Sequence, residues 1–141
     1  MKPIVLDASA LGAVLFQEPG AQRVRSLLVS RRTVSAPGLI YTEIGNVTWK
    51  RTRRGELEPG EAVELMQDVL RLPLSVTPTG DLCPDALRLA LMTGRTVYDA
   101  IYLALAVRVR GRVLTSDQRL ANALAGGPLE RYVAWIGGAT T

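Results

Sequence analysis

The chain has 141 residues, of which 48% are hydrophobic and 21% charged, and its formal net charge is +4. This length and hydrophobic fraction predict one folded domain over residues 1–141 and exclude a disordered chain. The sequence has no histidine and one cysteine, Cys83. Histidine acid–base catalysis, Ser-His-Asp triads, disulfide frameworks and zinc clusters are therefore excluded. Neither Lys2 nor Lys50 follows a glycine-rich loop, which excludes a Walker-type phosphate loop.

The N-terminus superficially resembles an export signal, because Met1 and Lys2 precede a mostly apolar stretch from Ile4 to Phe16. Asp7 lies in the middle of that stretch, where a charge opposes export. No uninterrupted run approaches the roughly 20 apolar residues of a membrane span. We therefore expect a cytoplasmic protein with no membrane partner.

Short apolar runs alternate with segments of helical periodicity along the whole chain, which is typical of βα units around a mostly parallel sheet. Helices are predicted at residues 9–17, 21–30, 39–54, from 59 to about 72, 81–93, 98–109 and 117–124. Strands are predicted at residues 3–6, 33–36, 74–76 and 112–115, with a last edge strand at 132–136. The pattern predicts an α/β fold, a three-layer α/β/α sandwich whose central sheet has four or five strands.

Four acidic residues are predicted at one edge of this sheet. Asp7 follows the first strand, Asp117 follows the strand at 112–115, and Asp99 lies at the start of the apolar helix before that strand. Glu43 lies one turn into the helix that follows the second strand. Helices that follow parallel strands begin at the same edge, where ligands bind in open α/β folds. Clustered carboxylates without histidine predict a site for a hard cation such as Mg²⁺ or Mn²⁺.

Each acid also has a structural interpretation that the sequence leaves open. Asp7 and Asp117 could be helix N-caps, and the segment 96–99 fits a capping box. Glu43 falls on the apolar stripe of its helix, so its carboxylate must be paired or bound to an ion. A salt bridge is the alternative for Glu43, although Lys50 and Arg51 lie too far along the helix to pair with it.

Four segments of the sequence carry a resemblance to a known family: residues 4–11 around Asp7, residues 41–46 around Glu43, residues 98–106 with Asp99, and residues 114–120 around Asp117. Together they resemble PIN-domain ribonucleases, and specifically VapC-type toxins of toxin–antitoxin pairs. The resemblance spans nearly the whole chain and implies a single PIN domain over residues 1–141.

The resemblance implies an endoribonuclease that hydrolyses RNA with Mg²⁺ or Mn²⁺. The four acids would be catalytic, with Asp7 and Asp99 as the firmest metal ligands and Glu43 and Asp117 ligating directly or through water. Hydroxyls near the metal would come from Ser9 and from Thr115 or Ser116. A cognate VapB-type antitoxin and a homodimer are implied as partners. The apolar segments 27–29 and 61–72 could provide those surfaces, although burial against the sheet explains them equally well.

The end of the third predicted helix is the clearest candidate for contact with RNA phosphates. The cations there are Lys50, Arg51, Arg53 and Arg54, and phosphate neutralisation dominates nucleic-acid affinity. Cations at a helix C-terminus are also favoured by the helix dipole, so both interpretations stay open. The aromatic residues Trp49, Tyr98 and Tyr102 could stack on bases, but packing in the core is the favoured prediction.

Two other classes of protein also place acids at this sheet edge. Phosphatases of this type need a second Asp two residues after the first, and here that position is Ser9. Phosphorylated receiver domains need a lysine at the same edge, and neither Lys2 nor Lys50 is placed there. The main alternative is a catalytically inactive PIN-like module for binding or scaffolding. Such modules commonly lose one or more acids, whereas this chain retains all four.

Overall fold

The computed structural model describes residues 2–137, which form a five-stranded sheet with helices on both faces. The strands are β1 (Ile4–Leu6), β2 (Val34–Pro37), β3 (Ser75–Thr77), β4 (Arg112–Thr115) and β5 (Val133–Trp135). Their order in the sheet is β3-β2-β1-β4-β5, and all four neighbouring pairs are parallel. The predicted α/β sandwich is confirmed, and the described sheet is parallel throughout.

Seven helices connect and cover the strands: α1 (Ala8–Leu15), α2 (Ala21–Val29), α3 (Leu39–Arg53), α4 (Pro59–Val69), α5 (Thr79–Thr93), α6 (Val97–Val109) and α7 (Gln118–Leu124). Helix α4 begins with a proline at its first position and a capping box between Glu58 and Glu61, both of which favour helix initiation. Helix α5 ends at Gly94, which has a φ of +75°, a left-handed conformation that glycine adopts without steric cost. A short 3₁₀ helix, Glu130–Tyr132, precedes β5 and was not predicted.

The two hydrophobic cores lie on opposite faces of the sheet, because successive side chains of a strand point to opposite sides. On one face Val5 and Val113 pack with buried residues of α5, α6 and α7. On the other face Ile4, Leu6 and Leu114 pack with buried residues of α1, α2, α3 and α4. Strands β1 and β4 are therefore buried on both faces, and they are adjacent in the middle of the sheet.

The beginnings of β1 and β4 approach each other closely at Gly111. A Cβ atom at Gly111 would lie 2.2 Å from the carbonyl oxygen of Pro3. That oxygen accepts a hydrogen bond of 3.0 Å from the amide of Arg112, the first residue of β4. The close approach therefore requires glycine at this position. At the opposite end of the same strands, the amide of Asp7 donates to the carbonyl of Leu114 at 3.3 Å.

Within residues 2–137, none of the helices is both long enough and apolar enough to cross a membrane.

Candidate active site

The carboxylate of Asp7 lies at the C-terminal end of β1, where it caps α1. Its Oδ1 accepts a hydrogen bond of 2.9 Å from the amide of Ala10 and one of 2.6 Å from the hydroxyl of Ser9. The residue is buried, and this burial raises the Asp7 pKa to about 6. The hydrogen bonds oppose that rise, whereas the nearby charge of Glu43 adds to it. Asp7 is therefore the N-cap of α1, which is the structural interpretation that the sequence left open. Its burial also makes the ionised form of the carboxylate energetically costly.

The hydroxyl of Ser9 connects the turn after β1 to the turn after β4. Its Oγ lies 3.1 Å from the Oγ1 of Thr115 and accepts a hydrogen bond of 3.0 Å from the amide of Ser116. Thr115 is fully buried, and its Oγ1 also accepts a 3.0 Å hydrogen bond from the amide of Asp117. The three predicted hydroxyl residues, Ser9, Thr115 and Ser116, therefore lie together beside Asp7.

Glu43 is half-buried on α3, and its partner is a tyrosine. The hydroxyl of Tyr102, on α6, donates a hydrogen bond of 2.5 Å to the Oε1 of Glu43. Burial raises the pKa of Glu43, the hydrogen bond from Tyr102 lowers it, and the negative charge of Asp99 raises it further. Burial and the charge of Glu43 also raise the pKa of Tyr102 above its usual value. Tyr102 is therefore a neutral donor that orients the Glu43 carboxylate.

Asp99 lies in the first turn of α6 and forms a salt bridge. Its Oδ2 is 3.0 Å from the Nη2 of Arg95, and both side chains are about one-third exposed. The amide of Asp99 donates a hydrogen bond of 3.2 Å to the hydroxyl of Thr96, so Thr96 caps α6 and forms one half of the predicted capping box. The other half would need the Asp99 carboxylate at the Thr96 amide, but this carboxylate pairs with Arg95. The charge of Asp99 acts on Glu43, and the charge of Glu43 acts on Asp7. These three acids are electrostatic neighbours.

Asp117 caps α7 and, unlike Asp99 and Glu43, is not among the charges that raise the pKa values of Glu43 and Asp7. Its Oδ1 accepts hydrogen bonds from the amides of Arg119 at 3.0 Å and Leu120 at 3.4 Å. The N-cap interpretation is confirmed for this residue as well. The hydrogen bonds of Ser9 and Thr115 place the Asp117 turn beside the Asp7 turn.

A cavity of about 740 Å³ opens at this edge of the sheet. It is lined by side chains of α1, α3, α6 and the β4–α7 turn, including Ser9, Glu43, Asn46, Lys50, Tyr98 and Ser116. Tyr98 is 64% exposed and Trp49 is 52% exposed, so the prediction that these two pack in the core was wrong. Tyr98 lies in the first turn of α6, whereas Tyr102 lies one turn further along the helix and is buried as predicted.

The four cations at the end of α3 differ in their surroundings. Lys50 lines the cavity. Arg51 forms salt bridges to Glu18 at 3.0 Å and Glu56 at 3.5 Å and lies over the ring of Phe16. The guanidinium of Arg53 lies 5.0 Å from the Trp49 ring centre. Arg54 is exposed at the C-cap of α3. The predicted role of these residues in RNA contact stays a prediction, and Lys50 is the one at the cavity.

The positions of the acids fall short of a complete metal site. In residues 2–137, no group of three acidic, histidine or cysteine side chains is arranged to hold a metal ion. A second sizeable cavity, of about 520 Å³, lies between α2 and the sheet, and its described lining contains Arg23, Arg32 and Arg112 but no acid. The cavity beside Glu43 is thus the one at which carboxylates and hydroxyls are gathered.

Comparison with known proteins decides the family. The family model for the PIN domain matches residues 4–124. The chain belongs to the PIN domain family. A curated PIN-containing relative, Ribonuclease VapC3 of Pyrobaculum aerophilum, is 34% identical over 120 residues, which are 84% of this chain and 92% of that protein. The resemblance drawn from the four acidic segments is confirmed.

Solved structures have the same PIN fold. The crystal structure of PAE2754 from Pyrobaculum aerophilum has a TM-score of 0.72 at 25% identity, covering 96% of this chain and 85% of that one. A DNA-bound VapBC structure from Salmonella typhimurium has a TM-score of 0.65 at 15% identity, covering 96% and 99%. A toxin–antitoxin complex from Klebsiella pneumoniae has a TM-score of 0.61 at 17% identity, covering 93% and 95%. The latter two likenesses concern the fold.

Two residues that contact the acids, Tyr102 and Arg95, were not among the predicted site residues. Tyr102 was assigned to the core, and its contact with Glu43 spans 59 positions of sequence, which no local pattern reveals. Arg95 forms an ion pair with Asp99. Its spacing of four residues from Asp99 is a readable signal for an ion pair.

Proposed function

We propose that this protein is a divalent-metal-dependent endoribonuclease and the toxin of a toxin–antitoxin pair. The observation that carries the proposal is the buried Asp7 carboxylate, which is electrostatically coupled to Glu43 at the edge of an open cavity. A buried carboxylate with a second negative charge nearby requires either a proton or a cation. The name of the relative Ribonuclease VapC3 supports RNA as the substrate.

The residues at the site fit Mg²⁺ or Mn²⁺ by their chemistry. The available donors are carboxylate and hydroxyl oxygens, and hard cations prefer oxygen ligands. Asp7, Glu43 and Asp99 would hold the ion, with Asp117 ligating directly or through water. When bound, such an ion supplies Lewis-acid stabilisation of phosphate charge and an activated water.

The neighbouring residues have positioning roles in this proposal. Ser9 and Thr115 fix the Asp7 carboxylate at the end of β1, and Tyr102 fixes the Glu43 carboxylate from α6. Lys50 is at the cavity and would bind an RNA phosphate. Tyr98 is exposed at the same cavity and would stack on an unpaired base. The substrate is therefore proposed to be a single-stranded segment of RNA.

A VapB-type antitoxin is the proposed protein partner. VapBC complexes from Rickettsia felis and Haemophilus influenzae share the fold at TM-scores of 0.63. The segments named above as candidate interaction surfaces include apolar side chains that are exposed here, namely Val29 on α2, Val63 on α4 and Leu70 at the end of α4. Burial against the sheet does not account for these three. A homodimer and a cytoplasmic location stay predictions.

The proposal is tested by incubating the purified protein with total RNA, with Mn²⁺ or with EDTA. We expect cleavage with Mn²⁺ only. The D7N and D99N variants should each lose at least about a hundredfold in rate, since loss of a metal ligand removes several kcal/mol of transition-state stabilisation.

Asp85 provides the matched control, because it is an exposed acid on α5 that pairs with Arg88 at 2.7 Å. The D85N variant should cleave RNA as the wild type does. Unchanged cleavage by D7N and D99N would refute the assigned site. Absence of cleavage by the wild type with Mg²⁺, Mn²⁺, Co²⁺ and Zn²⁺ would favour the inactive binding module instead.

A further inference from the structure

The ion pair between Arg95 and Asp99 lies at an acid that the proposed function needs as a metal ligand. The Nη2 of Arg95 is 3.0 Å from the Oδ2 of Asp99. A guanidinium in contact with this oxygen competes with a metal ion for the same lone pairs. Glu43 and Asp7, by contrast, receive hydrogen bonds from neutral groups of Tyr102, Ser9 and Ala10. Of these three acids, Asp99 is thus the one that pairs with an arginine within residues 2–137.

The guanidinium of Arg95 is incompletely satisfied in this position. Its Nε is buried and has no hydrogen-bond partner among residues 2–137. An unpaired buried donor is energetically unfavourable. The ion pair with Asp99 therefore holds the Arg95 side chain in a position where its Nε–H finds no acceptor among residues 2–137. Guanidinium presents its donors in a planar fork that matches a phosphate. A phosphate oxygen could satisfy this fork if Asp99 were released.

We propose that Arg95 is a built-in counterion of Asp99 that a divalent cation must displace. Without a bound cation it pairs with the Asp99 carboxylate and offsets its negative charge. Binding of the cation to Asp99 frees the guanidinium. This inference rests on the proposed function, because it assumes that Asp99 is a metal ligand.

Arg95 consequently lowers the affinity of the site for metal. Before it binds, the cation must break an ion pair and approach a positive charge. Salt bridges that are partly exposed are weak, so displacement is feasible at ordinary metal concentrations. Removal of the arginine charge should leave Asp99 free to bind the ion.

The test measures Mn²⁺ binding by isothermal titration calorimetry, together with the shift of the melting temperature on adding Mn²⁺. The R95Q variant should bind Mn²⁺ about tenfold more tightly than the wild type. The R95K variant keeps the charge and the pairing, so its affinity should stay near that of the wild type. The R88Q variant is the matched control, because it removes an arginine paired with an acid on α5, outside the site, and its affinity should not change.

The melting temperatures in EDTA separate a folding defect from an effect on binding. If the wild type binds Mn²⁺ and a folded R95Q variant binds it equally or less tightly, the inference is overturned and the proposed function stands. If neither protein binds Mn²⁺ at millimolar concentration, both the inference and the metal site are overturned. Binding by R95Q at concentrations where the wild type binds none would support the inference most strongly.

Discussion

Asp7 has two roles with opposite effects on stability. Its carboxylate caps α1 through the amide of Ala10, and caps of this kind stabilise a helix by about 1 kcal/mol. Its burial nevertheless raises the pKa to about 6, which means that the ionised form is costly in the folded protein. Proximity to Glu43 adds to that cost. At neutral pH and without a bound cation, the ionised Asp7 carboxylate therefore destabilises the folded protein.

The folding stability of the metal-free protein should fall as the pH rises. Between pH 3.8, the ordinary Asp value, and about 6, the folded state holds a proton on Asp7 that the unfolded state has lost. The free energy of unfolding therefore decreases through this window, by about 2 to 3 kcal/mol in total. Urea denaturation in EDTA at pH 5 and pH 7.5 measures the upper part of this window, where a decrease of about 1 to 1.5 kcal/mol is expected.

The D7N variant isolates the contribution of Asp7 to this pH dependence. Asparagine keeps an N-cap acceptor but has no titratable proton. The stability difference between D7N and the wild type should therefore grow in favour of D7N as the pH rises from 5 to 7.5. A difference that is the same at both pH values would contradict the raised pKa.

At the scale of elements, the hydrogen bond between Tyr102 and Glu43 joins two helices on different faces of the sheet. Helix α3 packs in one core and helix α6 in the other. The orientation of Glu43 thus depends on how α6 is placed, although Glu43 itself belongs to α3.

The Y102F variant should weaken metal binding about tenfold, because groups that orient ligands typically contribute 10- to 100-fold to metal affinity. It should also lower the free energy of unfolding by about 1 kcal/mol. Mn²⁺ titration and urea denaturation measure the two effects. Tyr132 provides a control, since its hydroxyl accepts a hydrogen bond from the exposed Arg131.

If Y102F and Y132F bind Mn²⁺ with equal affinity, Tyr102 has only a structural role. An increase in the KM for RNA at saturating metal, without a change in metal affinity, would also contradict a positioning role.

The elements could be predicted from the sequence because each has a local signature. Helix α6 is almost wholly apolar, and residues 100–106 are all buried as expected. Strand β5 lies at Val133–Trp135, within the predicted segment 132–136. The 3₁₀ helix before it has no comparable periodic pattern. At the site, the topology placed Asp7, Glu43, Asp99 and Asp117 at one edge, because that placement depends only on the alternation of strands and helices.

The side-chain partners of those acids could not be predicted from the sequence. The contact of Glu43 with Tyr102 depends on the relative rotation of two helices packed on different layers. The exposure of Tyr98 depends on where the sheet ends beneath α6. Neither quantity is encoded in a local pattern. For Arg95 and Asp99 the spacing was available, but the same acid also fits an N-terminal turn and a metal site, and sequence alone does not rank these.

For the whole molecule, the net charge of +4 is relevant to the proposed RNA substrate. Binding of single-stranded RNA should weaken as salt rises, because each neutralised phosphate releases counterions. The effect is measured with the D7N variant, which should bind RNA without cutting it. Replacing Lys50 by Gln should reduce the slope of log affinity against log salt by about 0.7, the value for one phosphate contact.

Arg71 is a suitable control cation, because it is an exposed residue that pairs with Asp68 at 3.5 Å away from the cavity. The R71Q variant should leave the salt slope as it is in D7N alone. Equal slope changes for K50Q and R71Q would mean that RNA responds to total charge and not to the cavity.

Gly111 affects the spacing of the acidic turns from the opposite end of strands β1 and β4. Strands β1 and β4 begin beside the close approach of Gly111 to Pro3. They end before the turns of Asp7 and Asp117, roughly 13 Å away at about 3.3 Å per residue. One added methyl group would wedge the two strands apart where they begin. The spacing of the two acidic turns therefore depends on a residue that takes no part in the chemistry. Loss of activity in a Gly111 variant would accordingly report a displaced scaffold, with every acid still present.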